Sequence, residues 1–191
     1  MAGTPANSRV PQDDAGDYEL MPTGALAQTA SRTAVALATH TLTSGTLRLV
    51  GIFLPSSLLV TSISFLSGTT ALAAGTNQLF GIFDDAAGSS SGVARALLRG
   101  TADDGAAAWA ASTVKTLALT TPYSTPRAGM FYLGVLVVAG TTPTLAGTTG
   151  QAAVYGLAPV LAGASTAAIT ALPDPAGAPT AATIIAYAYV S

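Results

Sequence analysis

Apolar residues along this chain recur in short runs, many of which alternate with polar residues and are bounded by glycine, proline, serine or threonine. Leu59–Leu66 is the clearest case, because serines alternate there with Ile63 and Phe65. Alternation with a period of two is typical of a strand with one buried face. Gly129–Val138 is instead a continuous apolar run, which predicts a strand buried on both faces.

Seven other segments share this strand-like composition, so about eight to nine strands are predicted at roughly ten-residue spacing. That spacing is typical of an all-β sandwich or barrel. Helix is expected only in short pieces such as Gly105–Ala111, and Gly92–Arg99 fits either a strand or a helical turn. The seven segments are Ala34–Thr43, Gly45–Leu54, Gln78–Phe83, Gly92–Arg99, Thr113–Leu119, Ala152–Val160 and Thr183–Val190.

Two similar segments occupy equivalent places between predicted strands. Gly68–Thr76 reads GTTALAAGT, and Gly140–Thr148 reads GTTPTLAGT. Links of about seven to nine residues in equivalent places fit two related halves, as in a jelly roll. A chain rich in alanine, glycine and threonine also produces such matches by chance. We predict a jelly-roll-like β-sandwich over residues 24–191.

Residues 1–23 differ in composition from the rest of the chain. They contain three prolines and five of the sixteen charged residues, but few large apolar residues. This composition predicts an extended or disordered N-terminal arm. One interpretation is an unattached terminus. The other is an arm that attaches to a neighbouring subunit or a capsid lattice, with Tyr18, Leu20 and Met21 as its anchors.

Charged residues are scarce: 8% of the chain is charged and 50% is hydrophobic, whereas a typical soluble domain is about 25% charged. The formal net charge of −2 and the scattered arginines argue against a nucleic-acid partner. The apolar run Gly129–Ala139 is about half as long as a bilayer-spanning helix, so no membrane insertion is predicted. So few charges predict either a solvated face built from serine, threonine and glycine or a surface that is buried against other chains, and both point to an assembled, architectural protein.

The sequence contains little catalytic chemistry. His40 is the single histidine, and no Gly-x-Ser-x-Gly nucleophile motif is present. With one histidine and no cysteine, one subunit cannot form a multi-histidine or thiolate zinc site. Phosphate-binding and dinucleotide-binding motifs are absent as well. We therefore expect no enzymatic activity and no cofactor, and we expect His40 to be structural or exposed.

Three pairs of adjacent aspartates stand beside turn residues: Asp13-Asp14, Asp84-Asp85 and Asp103-Asp104. Aspartate is favoured in turns because its carboxylate accepts hydrogen bonds from the nearby backbone. Turn formation is therefore the expected role. A calcium site built from two of these loops is the alternative, since a hard cation requires several oxygen ligands.

Trp109 is the single tryptophan, and alanines flank it on both sides. Small neighbours let a large ring pack closely, so a core position is predicted. The alternative is an exposed ring at an interface or against a sugar, because tryptophan is enriched at interfaces. In that case Tyr123 and Tyr132 are further candidates for a glycan-binding surface.

Five segments carry a resemblance to known proteins. They are Pro11–Leu20, Gly75–Asp84, Thr101–Ala110, Thr116–Tyr123 and Tyr132–Ala139. These segments resemble virion structural proteins of tailed phages that infect actinobacteria. The resemblance extends over most of the chain and implies a non-enzymatic part of the particle, which is a head decoration or fibre protein or a tail appendage.

Composition and resemblance together predict a capsid decoration protein that binds the head surface as a symmetric oligomer. A trimer is expected, because head proteins often occupy local three-fold axes. Its partners would be sister copies and the major capsid protein, and its location the virion. The alternative is a tail-tip or fibre domain that binds host-surface glycan.

Overall fold

The computed structural model of the protein describes residues 21–84, 95–149, 160–177 and 179–191, with the backbone alone at residues 36–39. This part of the chain forms thirteen strands and no α-helix, and one turn of 3-10 helix at Arg32–Ala34 precedes the second strand. The strands are β1 (Ala27–Gln28), β2 (Ala36–Thr41), β3 (Arg48–Leu54), β4 (Leu59–Leu66), β5 (Ala73–Asp84), β6 (Leu97–Gly100), β7 (Val114–Ser124), β8 (Gly129–Thr141), β9 (Thr144–Thr149), β10 (Ala162–Ala164), β11 (Thr180–Ala181), β12 (Ile184–Ala186) and β13 (Ala188–Val190).

Two antiparallel sheets form the body of the fold. The larger sheet has six strands in the order β11-β10-β3-β8-β5-β6, and the smaller has four in the order β1-β13-β4-β7. A three-stranded sheet, β12-β9-β2, is joined to the end of β4 by a bridge between Ser67 and Leu145. This architecture confirms the predicted all-β sandwich, whereas the jelly-roll connectivity stays a prediction.

The main hydrophobic core lies between these two larger sheets. Alternate residues point inward from each strand, so that Val50 and Ile52 of β3 belong to the same buried cluster as Ile63 and Phe65 of β4. Phe65 also meets Phe80 of β5 edge to face, with ring centroids 4.9 Å apart. Burial of each such side chain contributes roughly 1.5–3 kcal/mol, so the core between the sheets is the main source of stability.

A second apolar layer covers the outer face of the six-stranded sheet. Ile169, Leu172 and Ala176, from the segment that follows β10, pack in one cluster with Phe83 of β5 and with outward-facing residues of β3 and β8. As a result, seven consecutive residues of β8, Phe131–Val137, are buried. The sequence prediction that Gly129–Val138 is buried on both faces is therefore confirmed.

A row of glycines crosses the six-stranded sheet beneath this second layer. Gly134 of β8 pairs with Gly81 of β5 on one side and with Leu49 of β3 on the other. Farther out, Gly81 pairs with Gly100 of β6, and Leu49 pairs with Gly163 of β10. A methyl group added at Gly134 would lie 2.6 Å from the Phe83 ring, and one added at Gly81 would lie 2.9 Å from Leu172. The covering side chains therefore occupy the space that Cβ atoms would fill.

Most of the predicted strands are present, with shifted ends. Leu59–Leu66 coincides with β4, whereas β5 extends well beyond Gln78–Phe83. The short helix expected at Gly105–Ala111 is wrong: turns occupy this stretch, and Gly105 adopts a positive φ of 55°. The structure describes residues 95–99 of the segment Gly92–Arg99, and these include the start of β6. Of the segment Ala152–Val160, residues 152–159 lie outside the described residues.

The two similar segments lie against each other. Thr144 accepts hydrogen bonds from the backbone of Gly68 (2.7 Å, to its carbonyl) and of Thr70 (3.0 Å, to its hydroxyl). Ala73 then pairs with Thr141 where β5 and β8 begin to run together. Only two residues, 142 and 143, link β8 to β9, which is shorter than the predicted link. The repeated glycine and threonine residues of the two segments thus lie at one shared corner of the sandwich.

Candidate functional site

A groove lies at one end of the four-stranded sheet. Its volume is about 570 Å³, which is within the range of sites that bind small ligands or peptide segments. The groove is lined by Pro22, Thr23, Arg32, Val35, Leu66, Ser67, Ser112, Val114, Ala146, Tyr187 and Tyr189. We call these residues the Tyr187 groove.

Strand alternation creates the floor of the Tyr187 groove. Ala188 and Val190 of β13 point into the core, so Tyr187 and Tyr189 face the opposite side of the sheet. The Tyr187 amide donates to the carbonyl of Ala146, at 2.8 Å, which ties this end of the sheet to β9. The groove is thus mainly apolar and is built on regular backbone.

Tyr187 is held rigidly within the groove. Its hydroxyl hydrogen-bonds Gln28 at 3.0 Å, its ring centroid lies 6.2 Å from that of Tyr189, and only 3% of the residue is exposed. Burial raises the pKa of Tyr187, with smaller opposing effects from Arg32, which lowers it, and Tyr189, which raises it. The phenol is therefore neutral at physiological pH and serves as a fixed wall.

Arg32 supplies the one positively charged side chain of the Tyr187 groove. It begins the 3-10 turn and is exposed to solvent. Within the described ranges, the ion pairs are Lys115 with Asp104 and Arg127 with Asp84, so no carboxylate described here neutralises Arg32. The groove therefore combines an apolar floor with a cationic rim, a surface that suits an apolar segment carrying carboxylates.

The structure buries the three aromatic residues singled out in the sequence. Trp109, Tyr123 and Tyr132 are 2%, 8% and 0% exposed. Trp109 packs edge to face on Phe80 at 5.8 Å, and the guanidinium of Arg95 stacks on Tyr132 at 4.2 Å. The core position of Trp109 is confirmed. Its alternative position as an exposed ring is wrong, and the three rings do not form an exposed aromatic surface.

The arm anchors fall at the edge of the described chain. Tyr18 and Leu20 lie outside the described residues, whereas Met21 is half-buried. Pro22 and Thr23 line the Tyr187 groove, and the Ala25 amide donates to the Pro22 carbonyl at 2.9 Å to close a turn. The boundary predicted between arm and sandwich, at residues 23 and 24, thus falls at the wall of the groove.

The three aspartates of the adjacent pairs that the structure describes, Asp84, Asp103 and Asp104, form turn hydrogen bonds or ion pairs. Asp103 accepts hydrogen bonds from Asn77 and from the amides of Gln78, at 2.8 Å, and Gly105, at 2.9 Å. Burial alone would raise the pKa of Asp103, but these three donors outweigh burial and lower it. The turn role is confirmed for Asp103.

A shared calcium site at Asp84 and Asp103 does not fit this geometry. Asp103 binds beside Gln78, and Asp84 ends the same strand six residues later, which is a separation of about 20 Å. No cluster of three potential metal ligands occurs among residues 21–84, 95–149, 160–177 and 179–191. Asp13, Asp14 and Asp85 lie outside these ranges.

His40 lies on β2, opposite Leu145 of β9, and no hydrogen bond joins its side chain to a nucleophile among the described residues. Its half-buried position, and secondarily the positive charge of Arg48, lower the pKa of His40 to about 4. Arg48 itself is 4% exposed and donates to the carbonyl of Ile184 at 3.0 Å. His40 is therefore neutral in the folded protein at physiological pH.

We predict that acid weakens the fold through His40. In the unfolded chain His40 takes up a proton below pH 6.5, whereas in the folded chain it does so only near pH 4. The contribution of neutral His40 to the free energy of unfolding is therefore fully present above pH 6.5 and is lost as the pH falls toward 4. After allowance for solvent at this half-exposed site, the loss is about 1–2 kcal/mol. Urea unfolding of wild type and His40→Gln at pH 7.5 and 4.5 measures this difference, and an equal loss in both proteins would contradict it.

Sequence analysis missed the Tyr187 groove. Tyr187 and Tyr189 fall within the predicted strand Thr183–Val190, but Arg32, Leu66 and Val114 come from distant parts of the chain. The available signal was the pair of tyrosines that alternates with Ala188 and Val190 near the predicted end of the sandwich. Their assembly with Arg32 depends on the strand order, which alternation does not determine.

Comparison of the chain with protein-family models gave no match, and comparison with curated proteins gave none either. In the described part of the chain, no helix has the length and apolar character needed to cross a bilayer.

Proposed function

We propose that this chain is a structural component of a phage virion, namely a capsid decoration protein that binds the head surface as a symmetric oligomer. Its partners are sister copies, in a trimer, and the major capsid protein. The proposal combines the resemblance to virion proteins of phages that infect actinobacteria with the character of the described surface.

The observation that carries the proposal is how few charges remain on that surface. Ten lysine, arginine, aspartate and glutamate residues are described. Arg48 and Arg95 are buried, and four others form the two ion pairs. The remaining four are Arg32, Arg99, Asp103 and Asp174. Charge-poor surfaces associate readily, so the sides of the sandwich favour contacts with other protein chains.

Several large apolar side chains are also exposed on this surface. Phe53 is 61% exposed, Leu59 54% and Leu26 40%. Phe53 lies at the end of β3, and Leu59 begins β4, so two of these side chains flank one turn. Exposed apolar groups of this size are suited to subunit contacts, of which a stable one buries about 1,000 Å² or more.

Immunogold labelling of intact particles tests the proposal, with the purified full-length protein as antigen. Gold is expected on heads, and light scattering of the purified protein is expected to give the mass of a symmetric oligomer. A monodisperse monomer that does not sediment with heads would contradict the proposal. A phage scaffolding protein of similar size, detected with its own antibody, serves as the negative control for labelling.

The tail-tip alternative predicts gold on tails instead of heads. A glycan-binding surface built on Trp109, Tyr123 and Tyr132 is not favoured, since all three rings are buried. Such a function would have to use Tyr189 and the rim of the Tyr187 groove. Tail labelling together with glycan binding that is lost in Tyr189→Ala would favour this alternative.

A further inference from the structure

We propose that the Tyr187 groove is the docking site for the N-terminal segment of the same chain, residues 13–20. The segment lies immediately before the groove wall formed by Pro22 and Thr23. This contact is within one chain, so it goes beyond attachment to a virion and can fail without affecting that proposal.

Shape and polarity of the groove favour a peptide with apolar anchors. Leu66, Val114 and Tyr189 provide an apolar floor, and Val114 is 46% exposed where nothing in the described chain covers it. In an extended segment, residues two apart face the same side. Tyr18 and Leu20 of a segment bound in extended form would thus face the groove together.

Charge complementarity favours the same occupant. Residues 1–20 contain one arginine and four carboxylates, so their net charge is −3. The whole chain has a net charge of −2, so residues 21–191 together carry a net charge of +1. Asp17 and Glu19 flank Tyr18. Arg32 at the groove rim has no carboxylate partner among the described residues. An acidic segment that enters the groove supplies that partner.

Reach and local concentration favour the chain's own segment over that of a second copy. Gly16 is six residues from Pro22, so it reaches up to about 20 Å from the groove wall. A segment tethered this closely has an effective concentration in the millimolar range, whereas the arm of an unassembled second chain is present only at micromolar concentration.

Disulfide trapping in the full-length chain tests the proposal without background, because the protein has no cysteine. Gly16 lies on the same side of an extended arm as Tyr18, so Gly16→Cys is paired with Val114→Cys in the groove. Under mild oxidation the double variant is expected to form an intrachain disulfide whose yield does not change on dilution. The matched control pairs Gly16→Cys with Ala118→Cys, which is exposed on the same face of β7 about 13 Å farther along. We expect at least a five-fold lower yield there.

Two further variants show whether the named contacts produce the disulfide. In the Gly16→Cys/Val114→Cys background, Tyr18→Ser with Leu20→Ser should abolish the difference from the control, and Arg32→Gln should slow trapping about two- to five-fold. Circular dichroism establishes that each variant is folded. The Tyr18→Ser/Leu20→Ser change in the cysteine-free chain should also at least double the binding of a fluorescent dye specific for apolar surfaces.

Several outcomes would overturn the proposal. A trapping yield equal to that of the control would show that the segment does not occupy the groove. A disulfide between separately prepared Gly16→Cys and Val114→Cys chains would place the arm of a second copy there. If the cysteine variants do not fold, unchanged dye binding by the Tyr18→Ser/Leu20→Ser variant overturns it independently.

Discussion

Replacing Trp109 with alanine is expected to lower the free energy of unfolding by about 3–5 kcal/mol. The indole fills the core between the two larger sheets, where it packs on Phe80, and Phe80 in turn packs on Phe65 of the opposite sheet. Its Nε1 donates to the Thr113 carbonyl at 3.3 Å, so the ring also fixes the loop before β7. The alanine variant leaves a cavity among rings that cannot collapse fully.

Trp109→Phe is the matched control. It keeps an aromatic ring against Phe80 but loses the indole N–H and some volume, so a smaller loss of about 1–2 kcal/mol is expected. Urea unfolding followed by circular dichroism measures both variants, because the single tryptophan that would report by fluorescence is removed. A loss below 1 kcal/mol for Trp109→Ala, or equal losses for the two variants, would show that the ring does not support the core.

Gly134→Ala is expected to destabilise the fold by about 1–3 kcal/mol through overpacking. The added methyl group would lie 2.6 Å from the Phe83 ring and 3.1 Å from Leu47. Both neighbours are fully buried, so neither moves without disturbing the second apolar layer. The same change at Gly177, which is exposed and has its nearest neighbour atom at 3.5 Å, should be close to neutral.

A double-mutant cycle identifies the cause of the Gly134 effect. Phe83→Leu removes the ring edge that the new methyl group would meet, so Gly134→Ala should cost less in a Phe83→Leu background than in wild type. A coupling of at least about 0.5 kcal/mol is expected for residues in contact. If the two losses simply add, steric conflict with Phe83 is not the reason for the glycine.

The alternation in the sequence predicts the strands well, because it reports directly which residues face the core. It located β4 at its observed ends, and the continuous apolar run Gly129–Val138 predicted β8 as a strand buried on both faces. The ends of β5 were placed less accurately, because Ala73–Asn77 contains small and polar residues that resemble a turn. They form a strand because β8 provides hydrogen-bond partners for them.

The candidate site was much less predictable than the strands. Trp109 was correctly placed in the core from its alanine neighbours, but Tyr123 and Tyr132 were considered as surface rings although both are buried. Tyr132 is buried because residues from the segment after β10 cover the outer face of the sheet. That cover is a long-range contact between residues distant in sequence, and local alternation carries no information about it.

The place of β13 has a consequence for how the protein is made. Although it follows every other described strand, it lies inside the four-stranded sheet, between β1 and β4. During synthesis on the ribosome, β4 therefore lacks this neighbour, and β1 lacks its partner in the sheet, until residue 190 has emerged. Because domains complete their folding only when all their strands are available, β1 takes its position in the sheet late. The backbone edge of β1 thus remains unpaired and accessible to other molecules for most of the time that the nascent chain is being translated.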